Sequence, residues 1–409
     1  MSKKFESVAS VKGNKNWDKL IERDGELSRS PDEVRNEFSR DYSRILHSLA
    51  YRRLKHKTQV FYNIGNDHIC TRMEHVAHVE SVSTTIADAL GLNTDLTRAI
   101  AMGHDLGHAP FGHKGEKIIA NLTKEHLGKN FWHEQNGLRF VDNIELLEDK
   151  QACHKNLMLT YAVRDGIISH CGEIDKNNLF PRENLSDLCL FNKPGEEEPA
   201  TWEGCVVKLS DKIAYVGRDI EDAKRLGFLS PDDMKTLEGF AKSFDSTAIN
   251  TTVIMHNLVI DVCNNSSPQN GIGLSENYAE KLKEIKAFNY NVIYNNDRLK
   301  YFEEYAKLII NSIFSQLKKA YKKGETLSEL SKMKEYYPIL AGDFYNWLIK
   351  YVDTSILPSE DLQRMSMFKN KKIFGILDDE KTFLQAIIDY ISGMTDGYAI
   401  KVYNELITF

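Results

Sequence analysis

His104-Asp105-Leu106-Gly107-His108-Ala109-Pro110-Phe111-Gly112-His113 holds three of the chain's 13 histidines in ten of its 409 positions, where even spacing would place fewer than one. Imidazole and carboxylate are the usual ligands of a hydrolytic divalent metal. An adjacent His-Asp pair at a helix end can grip one ion, because successive helical side chains diverge by about 100° and straddle it. Pro110 and the glycines at 107 and 112 let the chain fold back. That turn returns His108 and His113 to the same space as candidate proton carriers.

Helical period extends outward from this stretch. Thr71-Arg72-Met73-Glu74 fits a capping box and predicts a helix to about Leu90, stopped by Gly91. A second helix, from Asn93 or Thr94, carries Leu96, Ile100 and Ala101 toward His104. A third follows the Pro110 and Gly112 break with Ile118, Ile119 and Leu122, and a fourth runs from Gly204 to Leu226. Candidate strands are short and few, and Gln59-Val60-Phe61-Tyr62 is one. Asn192 to Pro199 and Asn264 to Gly273 read as loops. Beyond the second loop, Leu299, Phe302, Tyr305, Ala306, Ile309 and Ile310 recur at helical spacing. The expected class is all-α with few short strands. It divides into an N-terminal segment (1–34), a helical core (35–263) and a helical C-terminal region (275–409).

Composition bounds the function. Hydrophobic residues make up 42% and charged residues 27%, enough for a sizeable core, and 24 Gly with 9 Pro exclude a collagen-like chain. A net charge of −6 gives no overall basic field for coating nucleic acid. No run of about 18 apolar residues is present, so no membrane span is expected, and MSKKFESVAS lacks the apolar stretch of a signal peptide. Cys70, Cys153, Cys171, Cys189, Cys205 and Cys263 are scattered and form no CxxC, which reads as reduced thiols of a cytoplasmic protein.

Two further ligands must come from elsewhere in the chain. His75 follows Arg72 in Arg-Met-Glu-His. Asp211 sits among apolar residues in a good helical pattern, where a carboxylate needs a partner. Asp211, Tyr215 and Asp219 stand at i, i+4 and i+8 on one helical face. That face can present a carboxylate to metal, then an aromatic ring, then an acceptor for a sugar hydroxyl.

His75, His104-Asp105 and Asp211 fit the H…HD…D pattern and resemble the HD-domain metal-dependent phosphohydrolases. Within them the match is closer to the deoxynucleoside triphosphate triphosphohydrolases, the dGTPase family. Three stretches carry it: HDLGHAPFGHKGE (His104 to Glu116), RDYSRILHSLAYRRLKHKTQVF (Arg40 to Phe61) and SDKIAYVGRD (Ser210 to Asp219). The resemblance covers about residues 35 to 260 and implies an HD-domain helical core. It implies that His75, His104, Asp105 and Asp211 hold one divalent ion: Mn, Fe, Mg, Zn, Co or Ni. It implies His113 with Glu116 as an acid/base pair, His108 beside them over the phosphates, and His133 as another active-site histidine. Arg72 and Lys212 would bind phosphate oxygens, Gln59 and Asp219 would read the 3′-hydroxyl, and Tyr215 would pack on the deoxyribose. His170, in Ser-His-Cys, is a further candidate for the site.

The implied reaction turns a deoxynucleoside triphosphate, dGTP or several dNTPs, into deoxynucleoside and inorganic triphosphate, which controls dNTP pools. An alkoxide leaving group needs a proton, and an imidazole held by a carboxylate three residues on is a suitable donor. The residues leave the choice between His113 and His108 open, and His113 with Glu116 is also an ordinary i, i+3 helix pair. Arg40, Arg44, Arg52, Arg53, Lys55 and Lys57 crowd into eighteen residues with one acid, Asp41. That local excess suits a triphosphate, and Arg44 is its candidate substrate contact. Two other readings share these residues. One is another HD phosphohydrolase, acting on nucleoside monophosphates, cyclic nucleotides or guanosine polyphosphates. The other is a nucleotide sensor or single-stranded DNA binder with little turnover. The resemblance also suggests an allosteric dNTP, and the apolar stripes of the C-terminal third suit packing between copies in a homo-oligomer.

Overall fold

Glu74 accepts the Thr71 N–H at 2.7 Å and closes a capping box, and the helix runs Arg72–Leu90. Gly91 stops it at φ 85°, a left-handed conformation that glycine adopts without a Cβ clash. Asn93 caps the next helix, Thr94–Gly103, by accepting from the Asp95 and Leu96 N–H groups. The chain then turns through residues 104–111 and re-enters a helix at Gly112–Leu127. Thr201 caps the long Trp202–Arg225 helix by accepting from Gly204 at 3.0 Å. All four helices expected from spacing therefore form, and the fold is all-α. A computed structural model gives these elements and describes residues 3–27, 29–62, 66–171, 176–247 and 252–408.

The Thr94–Gly103 helix is the centre of the packing. It lies against the Glu37–His47, Arg72–Leu90, Tyr161–Ser169 and Trp202–Arg225 helices, and Leu96, Ala99, Ile100 and Ala101 are fully buried. Each large aliphatic side chain buried this way contributes roughly 1.5–3 kcal/mol. The apolar side chains form two clusters. One unites Ile100, Ile119 and Ile167 with Ile313, Phe344, Phe383 and Ile387 of the C-terminal third. The other unites Phe5, Ile86, Ile213 and Ile220 with Leu258, Leu282 and Ile285, so packing continues across the turn at 266–273.

Among the described residues the only sheet is a two-stranded antiparallel ribbon, Leu146–Glu148 with His154–Asn156. Gln59–Tyr62, expected as a candidate strand, is a bend instead. Only Thr58 pairs there, in an isolated bridge to Thr71, and the next residues turn their rings into separate contacts. Phe61 meets Phe228 edge-on at 4.8 Å, and Tyr62 stacks on Phe302 at 4.3 Å. Apolar alternation without a partner strand gives a packed loop, not a sheet.

The 104–111 turn is held against the His133–Arg139 helix through a close approach at Gly107. A Cβ there would meet the His133 carbonyl and the Gly137 nitrogen, each at 2.1 Å. Both obstacles are backbone and cannot swing away. Gly107→Ala should destabilise the folded chain by more than about 2 kcal/mol, read as a lowered midpoint in urea unfolding, whereas an unchanged midpoint would mean the turn yields freely.

Candidate active site

His104 emerges from the C-terminal end of the Thr94–Gly103 helix, where its Nδ1–H donates to the Ala101 carbonyl at 2.6 Å. That bond fixes the tautomer and leaves Nε2 with a lone pair. The Nε2 atom is buried and has no hydrogen-bond partner. Asp105 Oδ1 stands 3.6 Å from it and Asp211 Oδ1 3.9 Å. His75, in the first turn of the Arg72–Leu90 helix, places Nε2 2.9 Å from Asp211 Oδ1. One ligand atom each from His75, His104 and Asp211 falls within 4.8 Å of the others. A buried lone pair facing two carboxylates and a second imidazole is what a divalent cation satisfies. Burial opposes charge on both His75 and Asp211. Their mutual hydrogen bond outweighs it, raising His75 and taking Asp211 down to about 2.

Asp105 links this cluster to the next. Its Oδ2 accepts from Arg72 at 2.9 Å, and its Oδ1 lies 2.9 Å from His108 Nε2. Burial and the Arg72 charge push His108 well below the usual imidazole range. His108 stacks on His133 with ring centres 3.9 Å apart. Glu116, just past the first turn of the Gly112–Leu127 helix, is the hub of this second cluster. It accepts the His133 N–H at 2.9 Å, lies 3.2 Å from His133 Nδ1, and lies 3.5 Å from His113 Nδ1. Burial resists a charge on His133, but the Glu134 and Glu116 carboxylates prevail and hold it up at about 10. The His133, His113 and His108 rings in turn draw Glu116 well below the usual carboxylate range against the effect of burial. His113 is the open member, with its side chain 61% exposed, while His108 and Glu116 are largely covered.

Two polar groups beside these clusters lack partners. Arg72 is almost fully buried, and its Nε and Nη2 bond to nothing. Gln59 has a buried Oε1 with no donor. Gly112 lies beside both residues: a Cβ there would lie 3.4 Å from the Gln59 backbone carbonyl and 3.7 Å from Arg72 Nη2. Orphaned buried groups are costly, about 1–3 kcal/mol each, and imply a ligand with an anionic end and a donor.

The Trp202–Arg225 helix presents Asp211, Tyr215 and Asp219 along one face, as spacing predicts. Asp219 is buried, which raises it to about 6, and it accepts from the Tyr294 hydroxyl. Lys212 is buried and lines a cavity of about 510 Å³ with Lys176, Lys283 and Lys286.

Arg44 does not join this group. Its Nε donates to the Leu157 carbonyl and Nη2 to the Asn156 carbonyl at 3.2 Å, pinning the Glu37–His47 helix to the chain after the ribbon. The rest of the basic run is largely consumed the same way. Arg53 pairs with Glu145 at 2.5 Å, Arg40 lies near Glu33 and Glu37, and Lys57 donates to carbonyls. Sequence reasoning gave no role to Tyr294, which is remote from every motif, or to Glu134, which is buried with its Oε2 3.4 Å from His133 Nδ1. His170, flagged only as a candidate, is buried with its ring 5.1 Å from that of His104.

Manganese added to the purified chain should bind at one ion per chain. His104→Ala and Asp211→Asn should each abolish that stoichiometry in elemental analysis while helical circular dichroism persists. Full occupancy in both variants would move the ion elsewhere.

A family profile described as HD domain matches residues 72–216, and one described as phosphohydrolase-associated domain matches residues 371–405. HD domains bind divalent metals, and the His and Asp clusters above can hold one. A deoxyguanosinetriphosphate triphosphohydrolase-like protein of Caldanaerobacter subterraneus is 34% identical over 91% of this chain and 86% of its own. A protein of the same description from Clostridium tetani is 33% identical over 93% of this chain and 88% of its own. Another, from Rickettsia felis, is 31% identical over 92% and 93%. With geometry and similarity in agreement, the chain belongs to the deoxyguanosinetriphosphate triphosphohydrolase-like family of HD-domain phosphohydrolases.

Proposed function

We propose that the chain hydrolyses deoxynucleoside triphosphates, dGTP or several dNTPs, to deoxynucleoside and inorganic triphosphate. The observation that carries this reading is a pair of buried groups without partners on two residues beside Gly112: a guanidinium whose Nε and Nη2 want an anion, and a side-chain amide oxygen of Gln59 that wants a hydroxyl. A nucleotide offers both, a phosphate oxygen for Arg72 and the 3′-hydroxyl for Gln59. Asp219 offers a second acceptor for that hydroxyl, and Tyr215 on the same helix face gives the sugar a ring to lie against.

His75, His104, Asp105 and Asp211 are the residues that would hold the divalent ion, which when bound supplies Lewis acidity and an activated water. In the reaction a water oxygen bonds the α-phosphorus and the bond from phosphorus to the 5′-oxygen breaks. His113 delivers a proton to that departing oxygen. It is preferred to His108 because its ring is open to an incoming ligand, whereas His108 is covered, pushed toward neutrality and tied to Asp105. Glu116 orients His113, and His133 holds Glu116 from the other side. Arg72 offers its two unpartnered nitrogens to phosphate oxygens.

The test is the product. With Mn²⁺ and each dNTP in turn, deoxynucleoside and triphosphate should appear in equal amounts, and release of diphosphate or orthophosphate would reject the proposal. His113→Asn should lower kcat on the order of 10²–10⁴-fold with bound manganese retained. A loss shared equally by KM would assign His113 to binding.

A further inference from the structure

Residues 389–396 of the C-terminal third touch three of the segments that carry the candidate site: the loop at 57–59, the turn at 104–111 and the His133–Arg139 helix. Asp396 opens the Asp396–Ile407 helix and is 6% exposed. Its Oδ1 accepts from the Phe111 N–H at 2.8 Å, and its Oδ2 accepts from the Thr58 N–H at 3.1 Å. Phe111 lies between His108 and His113 and has φ 64°, a left-handed backbone that strains a side-chain-bearing residue. Thr58 directly precedes Gln59. One carboxylate therefore ties the turn bearing two histidines to the loop bearing the orphaned amide.

Neighbouring contacts reinforce the tie. Lys57 is buried, and its ammonium donates to the His108 carbonyl and, at 3.1 Å, to the Ser392 carbonyl. The Lys57 carbonyl accepts the Arg72 N–H at 3.0 Å, at the start of the helix that also bears His75. Asp389, one turn before Ser392's neighbours, accepts from Arg139 Nε at 2.8 Å and Nη2 at 2.5 Å, at the far end of the helix that begins with His133. These bonds reach backbone groups or helix ends and none of the reactive ring atoms.

We propose that Asp396 is a positioning residue, whose carboxylate sets the placement of the His108–His113 turn relative to the Thr58–Gln59 loop. The C-terminal segment is thereby part of the assembly of the site. What it positions rests on the proposed function; that it positions these two loops does not. Charge-assisted bonds to backbone N–H groups are about twice as strong as neutral ones, and removing the carboxylate leaves one buried donor, at Phe111, and one half-buried donor, at Thr58, unsatisfied.

The experiment uses full-length Asp396→Asn and Asp396→Ala. Amide hydrogen exchange is followed in peptides covering 57–62 and 108–116, and turnover of dGTP is measured in parallel. Asparagine keeps the size but only one acceptor oxygen, so it secures the test if the alanine variant fails to fold. Exchange in both peptides should quicken about tenfold or more, with the Thr94–Gly103 helix unchanged. kcat should fall on the order of tenfold for Asn and 10²-fold for Ala, with KM within about threefold and manganese content intact. Unchanged exchange in both peptides overturns the proposal, as does unchanged kcat despite faster exchange. Acceleration spread evenly over the chain also overturns it, since that marks general support of the fold. If the wild-type chain turns over no dNTP, the functional reading fails and the exchange result alone decides the role of Asp396.

Discussion

The bond from His104 Nδ1 to the Ala101 carbonyl governs the site, because it determines which imidazole nitrogen is left bare. A helix end leaves carbonyls without intrahelical donors, and this one takes the ring proton of the first residue past the helix. The remaining Nε2 then faces Asp105 and Asp211 in a buried space. Two carboxylates and a lone pair in one such space repel one another unless positive charge stands among them. The Arg72 guanidinium on Asp105 supplies part of that charge, and a divalent ion held by these residues would supply the rest, taking the place of the proton between His75 and Asp211.

From that point the site grows by shared partners. Asp105 hands off to His108, His108 stacks on His133, and His133 and His113 both face Glu116. The network runs from a cluster suited to a cation to a cluster suited to moving protons without a break between them. Arg72, bonded to Asp105 through Nη1, keeps its other two nitrogens buried and unsatisfied beside this network.

Much of this is legible in the sequence because its determinants are local. The capping box at Thr71 and Glu74 fixes where His75 falls on its helix, and the i, i+4, i+8 spacing puts Asp211, Tyr215 and Asp219 on one face. Distant partners are not legible. The basic run from Arg40 to Lys57 resembles a phosphate groove until Glu145 and the carbonyls of Asn156, Leu157 and Ser392, all far away in the chain, take up Arg53, Arg44 and Lys57. Tyr294 reaches Asp219 from 75 positions away, and Asp396 reaches Phe111 from 285. Alternating apolar residues at 59–62 signal a strand, but a strand exists only where another chain segment pairs with it, and here rings pack instead.

The account stands on one cation held by four side chains remote from one another in the chain. Crystals of the full chain grown with Mn²⁺ and measured at the manganese absorption edge test it most directly. The expected result is a single anomalous peak roughly 2.0–2.4 Å from atoms of His75, His104, Asp105 and Asp211. A peak elsewhere, or none among these four at full manganese saturation, would contradict it.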